Sequence, residues 1–173
     1  GPEPMIAVTD AGPLIVLAKL NHLYLLSALY REVIIPRAVY REVVIEGQAR
    51  GYPDARMIRS FLQNRNWEPK APSTIPLELQ QDIRLGAGER EALALAKEYQ
   101  AIVLMDEVYA RSIAESIGLK TVGSLGVLVE AYRKGVLSSV VLDQLLVTIE
   151  VRDDIWVHPA LCERVRREVL GEG

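Results

Sequence analysis

The sequence predicts a single α/β domain built around a parallel sheet. Short apolar runs alternate with longer segments of helical period, which is the pattern of βαβ units. The chain has 173 residues, 50% of them hydrophobic and 25% charged, a length and composition typical of one domain with one sizeable core. We therefore assign residues 5–173 to one domain, with 136–173 as a C-terminal helical extension, and interpret residues 1–4 as an expression scar before Met5.

The predicted strands are short apolar runs, and the predicted helices follow them in order. Pro13 suits a first helical turn, while Pro36 ends the second strand and opens a helix that Gly47 closes. Residues 51–76 are rich in proline and are interpreted as a mobile or partner-facing arm with a helix-like stretch at 53–63. The strands are predicted at 5–9, 33–35, 101–105 and 119–122, and the other helices at 12–18, 22–30, 89–99, 107–117, 124–134, 140–150 and 160–170.

The charge and the rare residue types exclude several classes of protein. A net charge of -3 argues against a protein that grips nucleic acid over its whole surface. Residues 31–70 nevertheless hold eight basic and five acidic residues, either as a phosphate-contacting face or as solvated helix surface. One cysteine, Cys162, and two histidines, His22 and His158, exclude an internal disulfide and a His-rich metal centre. With no apolar run long enough for a membrane span, we expect a reducing, cytoplasmic setting.

Two aspartates directly follow predicted strands. Asp10 comes after the first strand and Asp106 after the third. The carboxyl ends of parallel strands meet at one edge of a sheet, so neighbouring strands would bring the two carboxylates together. Such a like-charged pair is retained more readily when a cation lies between its members. The alternative is that each aspartate is a turn former or a helix N-cap.

Two further regions supply glutamates near the same edge. Glu42 borders the apolar face of its helix, where a cation or an ion pair with an arginine would satisfy it. Glu89 and Glu91 stand at the start of the helix that follows Gly86-Ala87-Gly88. With Gly88 as N-cap, Glu91 lies at N3 and caps the helix, and Glu89 at N1 projects toward the sheet edge; the reverse assignment stays open.

Four carboxylates without a histidine or cysteine describe a site for a hard cation. Mg²⁺ and Mn²⁺ prefer oxygen ligands, and ions held by Asp10, Glu42, Glu89 and Asp106 would activate water and neutralise charge on a phosphodiester. No Ser-His or Cys-His nucleophile competes, because His22 lies in an apolar helix and His158 precedes a proline.

Five stretches of the sequence, taken in order and spacing, resemble a known family. They are Val8–Ile15, Ile35–Val43, Leu85–Ala96, Ile102–Glu107 with Ala110 and Arg111, and Val122–Leu128. They resemble the PIN-domain family and, within it, a toxin-like branch related to VapC-type ribonucleases. The resemblance implies a three-layer α/β/α fold, a parallel five-stranded sheet of order 3-2-1-4-5, and a Mg²⁺- or Mn²⁺-dependent site that cleaves single-stranded RNA.

The resemblance also implies roles for individual residues. The family's four acids fall on Asp10, Glu42, Glu89 and Asp106. Ser124 would orient a carboxylate or a water, and Arg111 would contact phosphate or pair with an acid. The remaining candidates are supporting acids and phosphate contacts, namely Glu91, Glu107, Arg41 and Arg37.

We therefore expect a metal-dependent endoribonuclease, the toxin of a toxin-antitoxin pair, with RNA as substrate. An antitoxin would bind around the Arg-rich segment, and homodimers are common in the family. The chain departs from the pattern at Gly12, where a hydroxyl residue is common, and at Glu89, where many relatives have Asp. One alternative is a PIN-like module that binds RNA or protein without cutting. Another is a receiver-type fold, although its acidic pair after the first strand and its late lysine are missing.

Overall fold

The fold is a parallel four-stranded sheet between two layers of helices. The computed structural model describes residues 5–171, so the interpretation of residues 1–4 lies outside the described residues. The strands are β1 (Ile6–Thr9), β2 (Glu32–Ile34), β3 (Ile102–Leu104) and β4 (Thr121–Val122). Their order in the sheet is β2-β1-β3-β4.

The expected fifth strand is absent from residues 5–171, so the five-stranded order 3-2-1-4-5 is wrong. Beyond β2 the chain forms a single parallel bridge between Pro36 and Lys70. The backbone N–H of Lys70 donates to the oxygen of Ile35 at 2.9 Å, and the N–H of Arg37 donates to the oxygen of Lys70 at 2.9 Å. The next bond of a parallel ladder would run from the N–H of residue 72 to the oxygen of Arg37, and Pro72 has no N–H to donate.

The helices agree with the predicted segments, with two additions. A π-helical segment (Arg41–Glu46) interrupts the helix after β2, and a short helix α6 (Leu77–Gln80) precedes the glycines at 86 and 88. Within the described residues, no helix is both long and apolar enough to cross a bilayer. The remaining helices are α1 (Ala11–Lys19), α2 (Tyr24–Leu29), α3 (Arg37–Tyr40), α4 (Gly47–Ala49), α5 (Pro53–Arg65), α7 (Ala87–Tyr99), α8 (Val108–Ser116), α9 (Ser124–Arg133), α10 (Ser139–Val151) and α11 (Pro159–Glu168).

Both faces of the sheet are buried. Ala7 and Leu104 point into the larger hydrophobic cluster, whereas Val8 and Val103 point into the smaller one, because successive side chains of a strand alternate between faces. The larger cluster also contains buried residues of α1, α2, α5, α9, α10 and α11, and the smaller one those of α7 and α8. Burial on both sides explains why the strands are continuous apolar runs.

We had expected the helix after β2 to end at Gly47, but the helix continues through this residue. Gly47 has helical backbone angles and begins α4. A Cβ atom at Gly47 would lie 2.9 Å from the Cβ of Ala55, so the glycine allows α5 to approach closely. Helix α5 buries Ala55, Ile58 and Leu62. This helix is therefore packed on the core, and the interpretation of its region as a mobile arm is wrong for α5.

Candidate active site

A cleft of about 750 Å³ opens at the carboxyl ends of β1 and β3. Asp10 and Asp106, which follow these two strands, both line it. We call it the acidic cleft, because among the described residues its lining holds seven carboxylates and one basic residue, Arg41. The seven are Asp10, Glu42, Glu46, Glu89, Asp106, Glu107 and Asp154.

Asp10 is the deepest of these carboxylates, with 8% of its surface exposed. Its backbone N–H donates to the oxygen of Leu104 at 2.9 Å, which ties the end of β1 to β3. Asp10 occupies the N-cap position of α1, but its side chain accepts no capping hydrogen bond. The helix cap therefore does not account for an aspartate here.

The surroundings of Asp10 disfavour its charged form. Its pKa is raised to about 7, mainly by burial and in smaller part by the nearby charges of Glu89, Glu42 and Asp106, against the lowering effect of the adjacent Ala11 amide. Negative charge is therefore poorly balanced at this point. A bound cation is the simplest way for the folded protein to keep Asp10 ionised at neutral pH.

Asp106 is held in place by Ser124, the first residue of α9. The backbone N–H of Ser124 donates to Oδ1 of Asp106 at 2.7 Å, and its hydroxyl donates to Oδ2 at 2.5 Å. Ser124 is 1% exposed, so its hydroxyl has little freedom to turn away. A Cβ atom at Gly12 would lie 3.2 Å from Oδ2 of Asp106, and the glycine thus leaves space beside that oxygen.

Glu42 projects from the π-helical segment and has no ion-pair partner within 4.0 Å among residues 5–171. The expected alternative, a pair with an arginine, is therefore not formed. Burial, and then the charges of Glu46 and Glu89, raise the pKa of Glu42. Sequence reasoning missed Glu46, although its position four residues after Glu42 in one helix was the available signal. Single π-helical turns are frequent at functional sites.

The predicted roles of Glu89 and Glu91 need correction. The N-cap of α7 is Gly86, not Gly88, so Glu89 is the N3 residue. Oε1 of Glu89 accepts the N–H of Gly86 at 2.8 Å and so caps the start of α7, which was the role assigned to Glu91. Oε1 of Glu91 accepts the N–H of Ala38 at 2.9 Å and links α7 to α3. Glu89 lines the acidic cleft as expected, but from the N3 position and as the cap.

The other predicted residues lie at different distances from the cleft. Glu107 lines it and caps α8 by accepting the N–H of Ala110 at 2.7 Å. Arg111 pairs with no described carboxylate within 4.0 Å, contrary to its expected ion pair. A Cβ atom at Gly123 would lie 2.8 Å from Nη1 of Arg111 and 3.0 Å from Oδ1 of Asp106, so this guanidinium stands near the site. Arg37 is exposed on α3 and does not line the cleft.

The two histidines take part in local hydrogen bonds. Nδ1 of His22 lies 2.6 Å from the oxygen of Leu20, and Nδ1 of His158 accepts the N–H of Ala160 at the start of α11. Neither histidine lines the acidic cleft. Sequence reasoning gave no role to Asp154 and Trp156, which do line it.

The donor set fits a hard divalent cation in its chemistry. Within residues 5–171, no three His, Cys, Asp or Glu side chains are arranged to hold a metal ion as they stand. Hydrogen bonds from Ser124 and Gly86 hold the carboxylates of Asp106 and Glu89 in their present positions, which partly explains why the acids are not gathered around one point. All candidate ligands are nevertheless carboxylates, the ligands that Mg²⁺ and Mn²⁺ prefer. A Cβ atom at Gly88 would lie 3.5 Å from Oδ1 of Asp10, so a glycine keeps open the space above the buried carboxylate.

The fold and the cleft together define a parallel α/β domain with an acidic site at its sheet edge. The family model DUF3368, described as a PIN domain, matches residues 6–170. The chain therefore belongs to the PIN-domain family, whose members are generally nucleases and usually use divalent metal ions. Searches of curated proteins and of solved structures gave no significant match. The predicted membership in the family is confirmed, while the VapC-related branch stays a prediction.

Proposed function

We propose that this protein is a Mg²⁺- or Mn²⁺-dependent endoribonuclease that cleaves single-stranded RNA in the acidic cleft. The observation that carries the proposal is Asp10, a buried carboxylate with no capping role, placed where three other acids of the predicted set line the same cleft. Membership in a family of nucleases supports the same conclusion.

In this proposal the protein's own side chains divide the work. Asp10, Glu42, Glu89 and Asp106 would hold the cation. When bound, the cation would activate water and neutralise charge that develops on the phosphodiester. Ser124 fixes the orientation of the Asp106 carboxylate through two hydrogen bonds, the kind of support that metal ligands receive in proteins.

Positive groups at the rim would orient the substrate. Arg41 lines the cleft on the side of the π-helical segment, and Arg111 stands beside Gly123 on the other side. Neither guanidinium pairs with a described carboxylate within 4.0 Å, which leaves both available for phosphate oxygens.

The resemblance to the toxin-like branch of the family supports a proposal about the biological setting. We propose that the enzyme is the toxin of a toxin-antitoxin pair, that it acts in the cytoplasm, and that it forms a homodimer. The antitoxin would keep the nuclease inactive until it is removed.

A second candidate is a PIN-like module that binds RNA or a protein without cutting. The observation that favours it is the engagement of both Asp106 oxygens by Ser124 and of one Glu89 oxygen by Gly86, so that no described cluster is ready for a metal. A binding module would keep its RNA affinity when Asp10, Glu42, Glu89 and Asp106 are all changed to amides.

Cleavage of a labelled single-stranded RNA tests the proposal. We would compare wild type with Asp106→Asn in Mn²⁺, Mg²⁺ or EDTA, and use Asp153→Asn as a control because Asp153 is an exposed acid outside the cleft. Cutting that requires the metal, persists in the control and is lost in Asp106→Asn would support the nuclease. Equal cutting by wild type and Asp106→Asn would contradict it.

A further inference from the structure

A second cleft, of about 830 Å³, adjoins the acidic cleft and shares Asp106 and Trp156 with it. It is formed by β4, α9 and α11 together with the start of α8. We call it the basic groove, because its lining includes five lysines and arginines. They are Arg111, Lys120, Arg133, Lys134 and Arg164.

Most of this positive charge is free to meet an external anion. Lys120, Arg133 and Arg164 are exposed and have no ion-pair partner within 4.0 Å among residues 5–171. Lys134 is partly neutralised by Glu130, whose Oε1 lies 3.1 Å from Nζ. The groove thus brings these cations to one surface that also includes Asp106.

Trp156 stands where the groove meets the acidic cleft, with 90% of its surface exposed. An exposed indole offers a broad apolar face on which another flat ring can stack. Its neighbour Ile155 is 6% exposed and belongs to the larger core cluster, so the chain at this point is anchored while the indole is turned outward.

The loop that carries Trp156 is held by several polar contacts. The guanidinium of Arg152 donates two hydrogen bonds to the carboxylate of Asp154, at 2.7 and 2.5 Å. Nζ of Lys19 donates to the backbone oxygen of Asp154 at 2.7 Å, and Nη1 of Arg152 donates to that of Lys19 at 2.9 Å. These hydrogen bonds restrain the loop that carries Trp156, which lowers the entropy cost when a ligand binds to the indole.

We propose that the basic groove binds a single-stranded nucleic acid, with one base stacked on Trp156 and the backbone phosphates along Lys120, Arg133 and Arg164. A cationic groove that follows the backbone, combined with an aromatic platform for a base, is the arrangement that single strands require. The inference rests on the proposed function in one respect only, namely that the groove would guide the bound strand to Asp106 for cleavage.

Binding without cleavage tests the groove on its own. We would measure fluorescence anisotropy of a labelled RNA of about eight nucleotides in EDTA, a length typical of single-strand sites. Trp156→Ala should weaken binding by about 5- to 100-fold, the range for loss of one stacked base, while Trp156→Phe should retain most of the affinity. Because Trp156 is exposed, neither change should disturb the fold.

An abasic strand of the same length separates stacking from charge. Its phosphates are unchanged but it has no base to stack, so the penalty of Trp156→Ala should disappear with it. The intrinsic emission gives a second readout: RNA should quench the tryptophan signal in wild type and in Trp67→Phe, but not in Trp156→Phe. The chain has only these two tryptophans.

Two matched triple variants test the cations. Lys120→Ser, Arg133→Ser and Arg164→Ser together should reduce the slope of log affinity against log salt by about 2, the value for three phosphate contacts on a single strand. Arg84→Ser, Lys97→Ser and Arg167→Ser remove the same charge from exposed positions outside both the groove and the Arg-rich segment 31–70, and should leave the slope nearly unchanged.

The outcomes separate this inference from the proposed nuclease. RNA binding in EDTA that depends on Trp156 and on the groove cations supports the groove even if wild type cuts no RNA. Equal affinities of wild type, Trp156→Ala and the groove triple variant overturn it even if Asp106-dependent cleavage is found. A Trp156→Ala penalty that persists with the abasic strand also overturns it, because Trp156 would then contact the sugar-phosphate backbone and not a base.

Discussion

The acidic cleft and the basic groove meet at Asp106 and Trp156, yet they have opposite charge. Among described residues, the cleft is lined by seven carboxylates and one arginine, and the groove by five lysines and arginines and two carboxylates. The net charge of -3 conceals this division. A phosphate could rest in the groove unaided, whereas in the cleft it would need a cation between it and the acids. The two surfaces therefore suit binding and chemistry respectively.

The largest expected effect in the acidic cleft comes from Asp10→Asn. The change removes a buried candidate ligand, and we expect a loss of metal-dependent cleavage of about 1,000-fold or more, as for other essential catalytic groups. RNA affinity in EDTA should stay the same or rise, because a negative charge near the strand is removed. Cleavage and anisotropy assays on one preparation check both expectations, and a variant that still cuts RNA at the wild-type rate would remove Asp10 from the site.

The same substitution should stabilise the metal-free protein at high pH. Folded Asp10, with its pKa raised to about 7, holds a proton that the unfolded chain releases near pH 4, so stability falls as the pH rises between these values. Each unit of difference corresponds to about 1.4 kcal/mol, so Asp10→Asn should gain about 2–4 kcal/mol at pH 8. Urea unfolding of both proteins from pH 4 to pH 8 measures this; a pH profile unchanged by the substitution would refute the assignment of the fall to Asp10.

Ser124→Ala should reduce cleavage and spare RNA binding in the groove, because Ser124 lines the groove without adding charge or a stacking face. It removes the hydroxyl hydrogen bond to Asp106 but keeps the backbone one, and we expect cleavage to fall about 10- to 100-fold, as when the partners of metal ligands are lost. Ser124→Thr retains a hydroxyl and serves as control. A loss of RNA affinity in EDTA equal to the loss of cleavage would mean that the two surfaces are not separate.

Arg152→Ala should affect the groove more than the cleft. Without the Arg152–Asp154 contact the loop that presents Trp156 is less restrained, and RNA affinity should fall by about 2- to 5-fold through ordering cost alone. Hydrogen exchange at residues 152–158 should increase in parallel. Arg167→Ala, an exposed change on α11 without a salt bridge, is the control. Faster exchange with unaltered affinity would show that the fastening of the loop is irrelevant to binding.

The smallest expected effect is that of Glu46→Gln on Glu42. The charge of Glu46 helps to raise the pKa of Glu42, so the amide should lower that pKa. Carbon NMR titration of the glutamate carboxyls measures it, with Glu68→Gln as a remote control. An equal shift in both variants would indicate that the effect is not local to the cleft.

Residues that depend on one strand or one helix could be predicted from the sequence. Asp10 and Asp106 were found because each follows an apolar run, and parallel pairing of neighbouring strands brings such positions to one edge. The capping role was assigned to Glu91 and not to Glu89 because Gly86 and Gly88 are both plausible caps, and only the backbone at Gly86 is extended as an N-cap requires. The sequence contains no local signal that decides between two glycines so close together.

Residues whose role depends on distant packing could not be predicted in this way. Trp156 lies in a loop without periodicity, and most of the groove lining comes from residues 106–134, far away in the chain. The π-helical segment likewise has no recognised sequence signal, and it was predicted as ordinary helix. The fifth strand was expected from the family resemblance, whereas this chain has prolines near Lys70 and forms one bridge there.

That single bridge has a consequence for how copies of the protein meet. Exposed edges of a sheet can template the addition of strands from other chains, and short edge strands, proline and lysine oppose this. Here the edge strand β2 has three residues, and Nζ of Lys70 lies 3.1 Å from Oε1 of Glu32 on that strand. The opposite edge strand, β4, has two residues. Neither edge favours the backbone-to-backbone growth that leads to aggregates, and a homodimer would be expected to form through helices instead.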